Sequence, residues 1–367
     1  MKILICMRYA NPPAGGAERS MLNLAKILMR EGHSIKIISL GYKNKNSFFE
    51  GVPITEINFR PKIIEGPIAF REIDKFIKLN ILELGLEEKI TDFSPELVFV
   101  QHEMSFFLQK LKMEKKLKAP LILFIHGFEY INMHLKPYLL PTKENLIEEA
   151  AKKILGKYTE SLIRDLIKYV DLIIFPSKYL EKIYKSKFNI KNSEVIYPFI
   201  QINKFLKLRK NNKRKYILHI KPTIQKGIEI TLFLAKKFKH KKFVIIGKIE
   251  NPKILQQAKS LHNVKILGYQ KNMAKIYRKT QLLLIPTLQP ETFSISSIEA
   301  QCSGCNVLAT GVGGVNAPFK ALIRDNKNIN KWEKYFIKRG SKLPIKNLKK
   351  FDCTLQYKNL KNLIQIK

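Results

Sequence analysis

Short apolar runs alternate with longer amphipathic stretches along the first half of the chain. Ile3–Met7 and Leu97–Gln101 have the length of strands and are nearly free of polar side chains, as in strands buried on both faces. Residues 17–30 carry apolar side chains at the spacing of one helix face. This alternation predicts a parallel sheet covered by helices. The other strand-like runs in this half are Ser34–Leu40, Leu121–Ile125 and Leu172–Phe175.

The alternation restarts after a polar, basic segment at residues 204–214. Its strand-like runs are Tyr216–Ile220, Phe243–Gly247, Val264–Leu267, Leu282–Pro286 and Asn306–Thr310. Two successive alternations predict an α/β fold of two Rossmann-like, doubly wound domains, which bind ligands at the carboxyl ends of their strands.

Domain boundaries follow from the same pattern. We place an amino-terminal domain at residues 1–200 and a second domain at residues 201–327. Residues 328–367 are predicted to be carboxyl-terminal helices that cross back to the first domain. A lysine- and glutamate-rich stretch at residues 134–169 predicts a long helix.

The charge of the chain is strongly positive. It has 67 Lys and Arg against 30 Asp and Glu, a net charge of +37. Nucleic acid, an anionic membrane surface and a polyanionic small molecule would each suit this charge, and a lysine-rich genome would also produce it. The lysines are spread along the whole chain, and no nucleic-acid-binding module is recognisable, so we do not expect a nucleic-acid partner.

The compartment predicted is the cytoplasm. No run reaches the roughly 18 apolar residues that a membrane-spanning helix needs, and the first apolar run is too short for a signal peptide. Cys302 and Cys305 form a lone C-x-x-C without a second pair or a nearby histidine, which favours two buried thiols at a turn over a zinc site. We expect no metal ligands.

Two loops have the composition of phosphate-binding loops. Gly15 and Gly16 follow the first strand and open a helix, whose N-terminus attracts anions. Lys221 and Lys226 follow Tyr216–Ile220, where two cations could hold a diphosphate. Glycines can serve only as turn formers, and lysine is abundant here, so neither loop is specific by itself.

Two glutamates and a histidine complete the candidate chemistry. Glu291 follows Leu282–Pro286, and Glu299 lies on the next helix among small and apolar residues, an unfavourable place for a purely structural carboxylate. Carboxylates accept paired hydrogen bonds from vicinal hydroxyls. His126 follows Leu121–Ile125 and is placed to reach a ligand, or to bond with neighbouring backbone.

These motifs resemble those of the retaining GT-B glycosyltransferases of family 4 through nearly the whole chain. The Gly-Gly-Ala-Glu-Arg string at residues 15–19 is similar to the amino-terminal signature of that family. Glu291 and Glu299, eight positions apart, resemble its paired-glutamate motif. The resemblance implies two Rossmann-like domains that face a central cleft.

The resemblance also implies roles for individual residues. Gly15 and Gly16 would contact the diphosphate of the donor, and Lys221 and Lys226 would neutralise it. Glu291 would face the hydroxyls of the donor sugar, with Ser294 and Ile295 in the same donor-binding set. Glu299 would bind the ribose. His126 would lie beside the transferred sugar.

The function that follows is transfer of a hexose from a UDP-sugar or GDP-sugar to an acceptor hydroxyl, with retention of configuration and without a metal. No Asp-x-Asp motif occurs, and two lysines can supply the charge that a metal supplies in other transferases. Several departures keep a weakly active or noncatalytic sugar-nucleotide-binding protein as an alternative. Lys221 stands where arginine is usual, Ile220 where glycine is usual, and Gly247 lacks a second glycine.

The acceptor predicted is lipid-linked or a glycan, reached by peripheral association with the inner face of the membrane. Residues 106–118 alternate apolar and basic side chains. On a helix, Phe107, Leu108, Leu111 and Leu117 form an apolar side flanked by lysines, which suits an anionic interface. The alternative is that this side packs on the sheet.

Overall fold

The computed structural model divides the chain into two units. Unit 1 is Met1–Phe199 with Tyr357–Lys367, and unit 2 is Ile200–Gln356. The residues described are 1–10, 15–41, 44–58, 83–102, 104–128, 130–131, 160–209, 213–316, 323, 328–338 and 340–365. No helix within these residues is long and apolar enough to cross a membrane.

Unit 1 contains a sheet whose described strands have the order β3-β4-β2-β1-β5-β6-β7-β8. All neighbouring pairs are parallel except β3 with β4. The strands are β1 Lys2–Arg8, β2 Ser34–Gly41, β3 Lys45–Phe49, β4 Val52–Asn58, β5 Leu97–Gln101, β6 Leu121–Phe124, β7 Leu172–Phe175 and β8 Ser193–Val195. The five strands recognised from the sequence in this half are confirmed to within a residue or two at their ends.

The sequence pattern did not predict the antiparallel hairpin of β3 and β4. The edge strand is β3, with β4 beside it, and β3 exposes most of its side chains, including Phe48 at 73%. A strand at an exposed edge lacks the continuous apolar run that marks a buried strand. The pattern therefore gave no signal for it.

Helices cover this sheet. They are α1 Gly16–Arg30, α2 Glu83–Thr91, α3 Met104–Met113, α4 at residues 160–169, and α5 Lys178–Lys187. Helix α1 ends where Gly32 adopts a left-handed conformation (φ +84°), which favours glycine. Of the long helix predicted at residues 134–169, α4 is described and the remainder lies outside the described residues.

The apolar side predicted for residues 106–118 is buried. Phe107, Leu108, Leu111 and Leu117 are at most 5% exposed and belong to the core of unit 1. Helix α3 contacts β1 and β5, so its apolar face packs on the sheet. The expectation that this segment presents an apolar face to a membrane is wrong, because the same spacing of apolar residues serves a core-facing helix.

Unit 2 contains a sheet that is parallel throughout, with the order β11-β10-β9-β12-β13. Its strands are β9 Tyr216–Ile220, β10 Lys242–Ile246, β11 Val264–Leu267, β12 Thr280–Ile285 and β13 Asn306–Ala309. Its helices are α6 Ile202–Leu206, α7 Ile228–Lys237, α8 Pro252–Ser260, α9 Met273–Lys279, α10 Ile295–Cys302, α11 Ile329–Ile337 and α12 Ile345–Leu348. Helix α13, Cys353–Ile364, includes the boundary between the units.

Unit 2 extends past residue 327, where the sequence analysis ends the second domain. Trp332 and Phe336 of α11 are buried in the same core as Ile217 and Leu308. Burying these two aromatic rings favours packing α11 on the unit 2 sheet. The residues beyond 327 therefore divide between the units at Gln356.

Candidate functional site

The strand order of unit 2 reverses between β9 and β12. The chain runs outward through β10 and β11, then returns to β12 on the other side of β9. In doubly wound sheets a ligand crevice forms at the carboxyl ends of the two strands at this switch point. Lys221 follows β9 directly, and Glu291 follows β12 after a short loop.

Gly227 brings Lys226 close to the end of β12. It adopts φ +72° and ψ +36° as the residue before α7, and a Cβ atom there would lie 1.9 Å from the carbonyl oxygen of Pro286. Only glycine combines the left-handed conformation with so close an approach of two backbones. The β9–α7 loop thereby lies against the β12–α10 loop.

Glu291 is held by the segment that follows β13. Its backbone N–H donates to the carbonyl of Val312 at 3.2 Å, and its own carbonyl accepts from the N–H of Gly314. Cβ atoms would lie 2.4 Å from the Glu291 oxygen at Gly313 and 2.0 Å from the Thr292 oxygen at Gly314. Main-chain packing thus fixes the position from which the Glu291 side chain projects.

The two loops meet in an ion pair. Lys226 Nζ lies 2.5 Å from Glu291 Oε1, with side-chain exposures of 30% and 15%. Glu291 is 65 residues from Lys226 along the chain, so the pair exists only because β9 and β12 are neighbours. A cation and a carboxylate side by side can bind a ligand that carries both phosphate oxygens and hydroxyls.

Lys221 differs from Lys226 in its setting. It is exposed and adopts φ +59°, a left-handed conformation that is unfavourable for a residue with a side chain. Its N–H donates to the carbonyl of Ile246 at 2.9 Å, and its carbonyl accepts from Thr223 N–H at 2.9 Å. The backbone is therefore fixed at this position while the ammonium group extends into solvent.

Glu299, Ser294 and Ile295 belong to α10. Ser294 precedes the helix and is buried, and Ile295 begins it. Glu299 is half-buried, and its Oε2 accepts a hydrogen bond from the Tyr277 hydroxyl at 3.0 Å. Its small and apolar sequence neighbours suggested that the carboxylate has more than a structural role, and Tyr277 gives it a structural hydrogen bond as well.

Gly15, Gly16 and His126 belong to unit 1. Gly15 is the residue before α1, with extended φ and ψ, and its carbonyl accepts from Arg19 N–H at 3.2 Å. His126 follows β6 and lines a cavity with Ser20, Phe124, Tyr197 and Phe199. Its ring stacks on Phe124, with centroids 6.0 Å apart.

Two residues that the sequence analysis did not select lie in the same region. His102 follows β5 as His126 follows β6, and the two rings have centroids 6.2 Å apart. Glu18, in the first turn of α1, has Oε1 3.8 Å from His102 Nε2. The signal was available, since a histidine follows each of two neighbouring strands. In unit 2, Tyr277 and the Gly313–Gly314 pair contact the candidate site residues and were likewise not predicted from the sequence.

Burial keeps these histidines neutral. It lowers the pKa of His126 to about 4. Burial, with the positive charge of Arg8 and the nearby His126, holds the pKa of His102 well below its ordinary value. The contact of His102 with Glu18 is therefore not an ion pair at neutral pH. A neutral imidazole carries one donor and one acceptor nitrogen.

A third buried histidine lies beneath the Lys221 loop. His219 on β9 has Nδ1 2.8 Å from Thr231 Oγ1 on α7. Burial lowers its pKa to about 4, with a smaller opposing effect of a hydrogen bond to the backbone of Lys221 and a further lowering by Lys226. This contact ties the strand that precedes Lys221 to the helix that follows Lys226.

Stability should therefore fall in mild acid. The pKa of an unfolded histidine is about 6.5, above the folded value of about 4 for His126 and His219, so the unfolded chain binds more protons between these values. We expect the free energy of unfolding to drop as pH falls from about 6.5 towards 4, by up to about 1.4 kcal/mol per pH unit for each histidine. Urea unfolding across this range measures it.

The contribution of His219 can be separated by substitution. His219→Gln removes one titrating group and should flatten the pH dependence, whereas His262→Gln at an exposed position should leave it unchanged. If the free energy of unfolding of His219→Gln depended on pH as in the unaltered protein, His219 would not be one of the titrating groups.

No group of three His, Cys, Asp or Glu side chains that could hold a metal ion occurs within the described ranges. Cys302 and Cys305 are buried thiols on either side of Gly304, which turns the chain at φ +90°. Burial raises the pKa of each thiol to about 12.

The chain matches two family models. Residues 14–204 match the model described as Glycosyltransferase Family 4, and residues 215–334 match the one described as Glycosyl transferases group 1. A curated relative, an uncharacterized 42.6 kDa protein in the cps region of Klebsiella pneumoniae, is 26% identical over 325 residues. That alignment covers 85% of this chain and 86% of the relative.

Solved structures share the fold. HepE of Anabaena, in complex with UDP and glucose, has a TM-score of 0.69 at 16% identity, with both chains covered fully. Sucrose-phosphate synthase of Thermosynechococcus elongatus has a TM-score of 0.70 at 13% identity, covering 100% of this chain and 94% of the other.

A third structure is α,α-trehalose-phosphate synthase (UDP-forming) of Burkholderia xenovorans, in complex with glucose-6-phosphate. It has a TM-score of 0.71 at 11% identity, covering 99% of this chain and 100% of the other. The chain therefore belongs to the GT-B glycosyltransferases, with an amino-terminal Glycosyltransferase Family 4 domain followed by a glycosyl transferases group 1 domain.

Proposed function

We propose that this glycosyltransferase moves a hexose from a nucleoside-diphosphate sugar to an acceptor hydroxyl with retention of anomeric configuration and without a metal ion. The observation that carries the proposal is the pair of Lys226 Nζ and Glu291 Oε1, 2.5 Å apart at the switch point of the unit 2 sheet. A nucleotide sugar presents its diphosphate and its sugar hydroxyls side by side, which is what this pair can bind.

Lys226 stabilises the leaving group in this mechanism. As the bond from the anomeric carbon to the diphosphate oxygen breaks, its electron pair passes to the diphosphate, and a fixed cation lowers the energy of the developing charge. The acceptor oxygen bonds to the anomeric carbon from the face that the diphosphate leaves, and its proton passes to the departing diphosphate. Lys221, exposed in the same loop, supplies a second positive charge.

The carboxylates hold the neutral parts of the donor. Glu291 accepts hydrogen bonds from sugar hydroxyls, and Glu299, which the Tyr277 hydroxyl orients, accepts them from the ribose. Ser294 and Ile295 lie at the start of α10 between these two residues. Gly15, Gly16 and His126 provide the corresponding contacts of unit 1 to the diphosphate and to the transferred sugar.

Support for the donor comes from the relatives that share the fold. The HepE structures contain UDP, UDP with glucose, or UDP-glucose, and the trehalose-phosphate synthase is described as UDP-forming. We infer a UDP-sugar or GDP-sugar as donor. The acceptor we infer is a lipid-linked saccharide or a glycan, and no nucleic-acid partner is expected.

The test is a panel of UDP- and GDP-sugars assayed for released nucleotide. At least one donor should be hydrolysed slowly in water and faster with a saccharide acceptor, and turnover should survive EDTA because lysines carry the charge. NMR of the product would report the anomeric configuration. Release of no nucleotide, with UDP and GDP still bound, would indicate the noncatalytic alternative. Loss of activity with EDTA and recovery with magnesium or manganese would refute metal independence.

Glu299 gives a more specific prediction. Glu299→Ala should weaken binding of the nucleotide sugar by about 1.5–3 kcal/mol, the usual value of hydrogen bonds to a charged acceptor. Calorimetry with UDP, GDP and the active donor measures the change. Tyr277→Phe is the matched control, because it removes the structural hydrogen bond and keeps the carboxylate. Equal affinities of folded Glu299→Ala and the unaltered protein would exclude the ribose-binding role.

A further inference from the structure

The positive charge of the chain is distributed unequally between the units. Unit 2 has 33 Lys and Arg against 7 Asp and Glu, a net charge of +26, whereas unit 1 has 34 against 23, a net charge of +11. A lysine-rich genome would raise lysine in both units alike. Unit 2 is the shorter unit, so its share of Lys and Arg is somewhat higher, but the larger difference lies in the acidic residues, which are scarce in unit 2. The scarcity of acidic residues favours binding of an anionic partner by unit 2, because acidic side chains would repel such a partner.

The amino-terminal edge of the unit 2 sheet gathers several of these lysines. Lys242 begins β10, Lys215 precedes β9, and Lys279 precedes β12; all three are exposed. The strand register aligns them, since Lys242 and Thr280 both pair with Tyr216. The N–H of Lys215 also donates to the carbonyl of Lys279 at 2.9 Å. Neighbouring strands lie about 4.8 Å apart, so three like charges share one edge.

Helix α11 extends this basic surface. Its Phe336 packs on Phe238, with ring centroids 4.7 Å apart, and this contact brings the end of α11 beside residues 236–242. Both segments carry exposed lysines, at positions 236, 237, 239, 334 and 338. Glu333, an acidic side chain on this surface, is neutralised by Lys237 at 2.5 Å.

An aliphatic side chain accompanies the lysines. Ile337, at the end of α11, is 62% exposed beside Lys338. Lysines together with an exposed aliphatic residue suit the interface of an anionic bilayer, where the cations meet lipid headgroups and the apolar side chain enters the acyl boundary. Surfaces that bind single-stranded nucleic acid instead use exposed aromatic side chains for stacking.

We propose that this basic edge of unit 2, comprising Lys215, Lys242, Lys279 and the adjoining end of α11, docks the protein on an anionic lipid membrane. The candidate donor site lies at the carboxyl ends of the same strands, the opposite edge of the sheet. Docking would therefore leave the donor site of unit 2 open to nucleotide sugar in solution. The basic edge, instead of α3, is then the membrane contact. Docking through it does not depend on the chemistry assigned to the donor site.

Vesicle co-sedimentation of the full chain tests the proposal. The protein should bind phosphatidylcholine vesicles that contain phosphatidylglycerol, should not bind vesicles of phosphatidylcholine alone, and should dissociate with added salt. The triple variant Lys215→Gln, Lys242→Gln, Lys279→Gln should partition about 100-fold more weakly, from a contribution of about fivefold per lysine. Ile337→Ser should weaken binding further without altering the salt dependence.

A matched variant removes the same charge elsewhere in unit 2. Lys253, Lys271 and Lys346 are exposed and lie outside the basic edge, so their triple substitution by Gln should reduce partitioning far less. The free energy of unfolding in urea, measured in parallel, should be unchanged in both variants and confirms folding whether or not the chain binds nucleotide. Equal loss in the two triple variants would overturn the proposal in favour of nonspecific charge. Binding to duplex DNA or RNA without binding to anionic vesicles would also overturn it.

Discussion

A Lys226→Ala variant is expected to lose about 100-fold or more in turnover of the nucleotide sugar. The substitution removes the cation proposed to stabilise the leaving diphosphate, and removal of one such fixed group commonly costs about 10²–10³ in rate. It also leaves Glu291, a carboxylate that is 15% exposed, without its partner 2.5 Å away. The negative charge then repels the diphosphate that the lysine would have attracted.

Steady-state kinetics with the active donor measure the loss, and nucleotide binding separates affinity from rate. Lys253→Ala, at an exposed position on α8, is the matched control and should retain activity. The double variant Lys226→Ala, Glu291→Gln should recover part of the nucleotide affinity, because the uncompensated charge is removed. Turnover within a few-fold of the original in Lys226→Ala would exclude the lysine from the mechanism.

A Gly227→Ala variant is expected to destabilise unit 2 by about 3 kcal/mol or more. A residue with a side chain at φ +72° costs roughly 1–2 kcal/mol, and the new Cβ would collide with the Pro286 carbonyl 1.9 Å away. Relief requires the β9–α7 and β12–α10 loops to separate, which also moves Lys226 from Glu291. Loss of stability and loss of nucleotide affinity should therefore occur together.

Urea unfolding and calorimetry with UDP or GDP measure the two effects. Gly268→Ala is the matched control, because a Cβ at Gly268 meets nothing within 4 Å, and its unfolding free energy should stay within about 0.5 kcal/mol. If Gly227→Ala unfolded like the control, the close approach of the two loops would be wrong.

Strand and loop positions were accessible from the sequence because buried parallel strands leave continuous apolar runs. The strands before Lys221, Glu291 and His126 were recognised in this way, and adjacency of β9 with β12 then brings Lys226 to Glu291. The edge hairpin β3–β4 gave no such run. His102 was overlooked although it follows β5 as His126 follows β6.

An amphipathic pattern predicts a helix but not the surface that its apolar side contacts. The apolar side of α3 fits a membrane interface and a protein core equally well, and only the packing of Phe107 and Leu111 in the core distinguishes them. The same ambiguity affected the end of the second domain, since the pattern around Trp332 shows a helix without showing which sheet it covers. The hydrogen bond from Tyr277 to Glu299 joins two helices, a tertiary contact that no local pattern encodes.

The glycines of the candidate donor site restrict how its specificity can change. Carbonyl oxygens of Pro286, Glu291 and Thr292 occupy the space that side chains at 227, 313 and 314 would need. These positions therefore admit almost no sequence variation while the surrounding loops keep their course. Selection for a different base or sugar must act on neighbouring side chains that project from this rigid main chain, such as those at 294 and 295. The main chain of the site is therefore fixed, whereas the side chains that line it can vary. Efforts to alter the choice of donor should substitute those side chains.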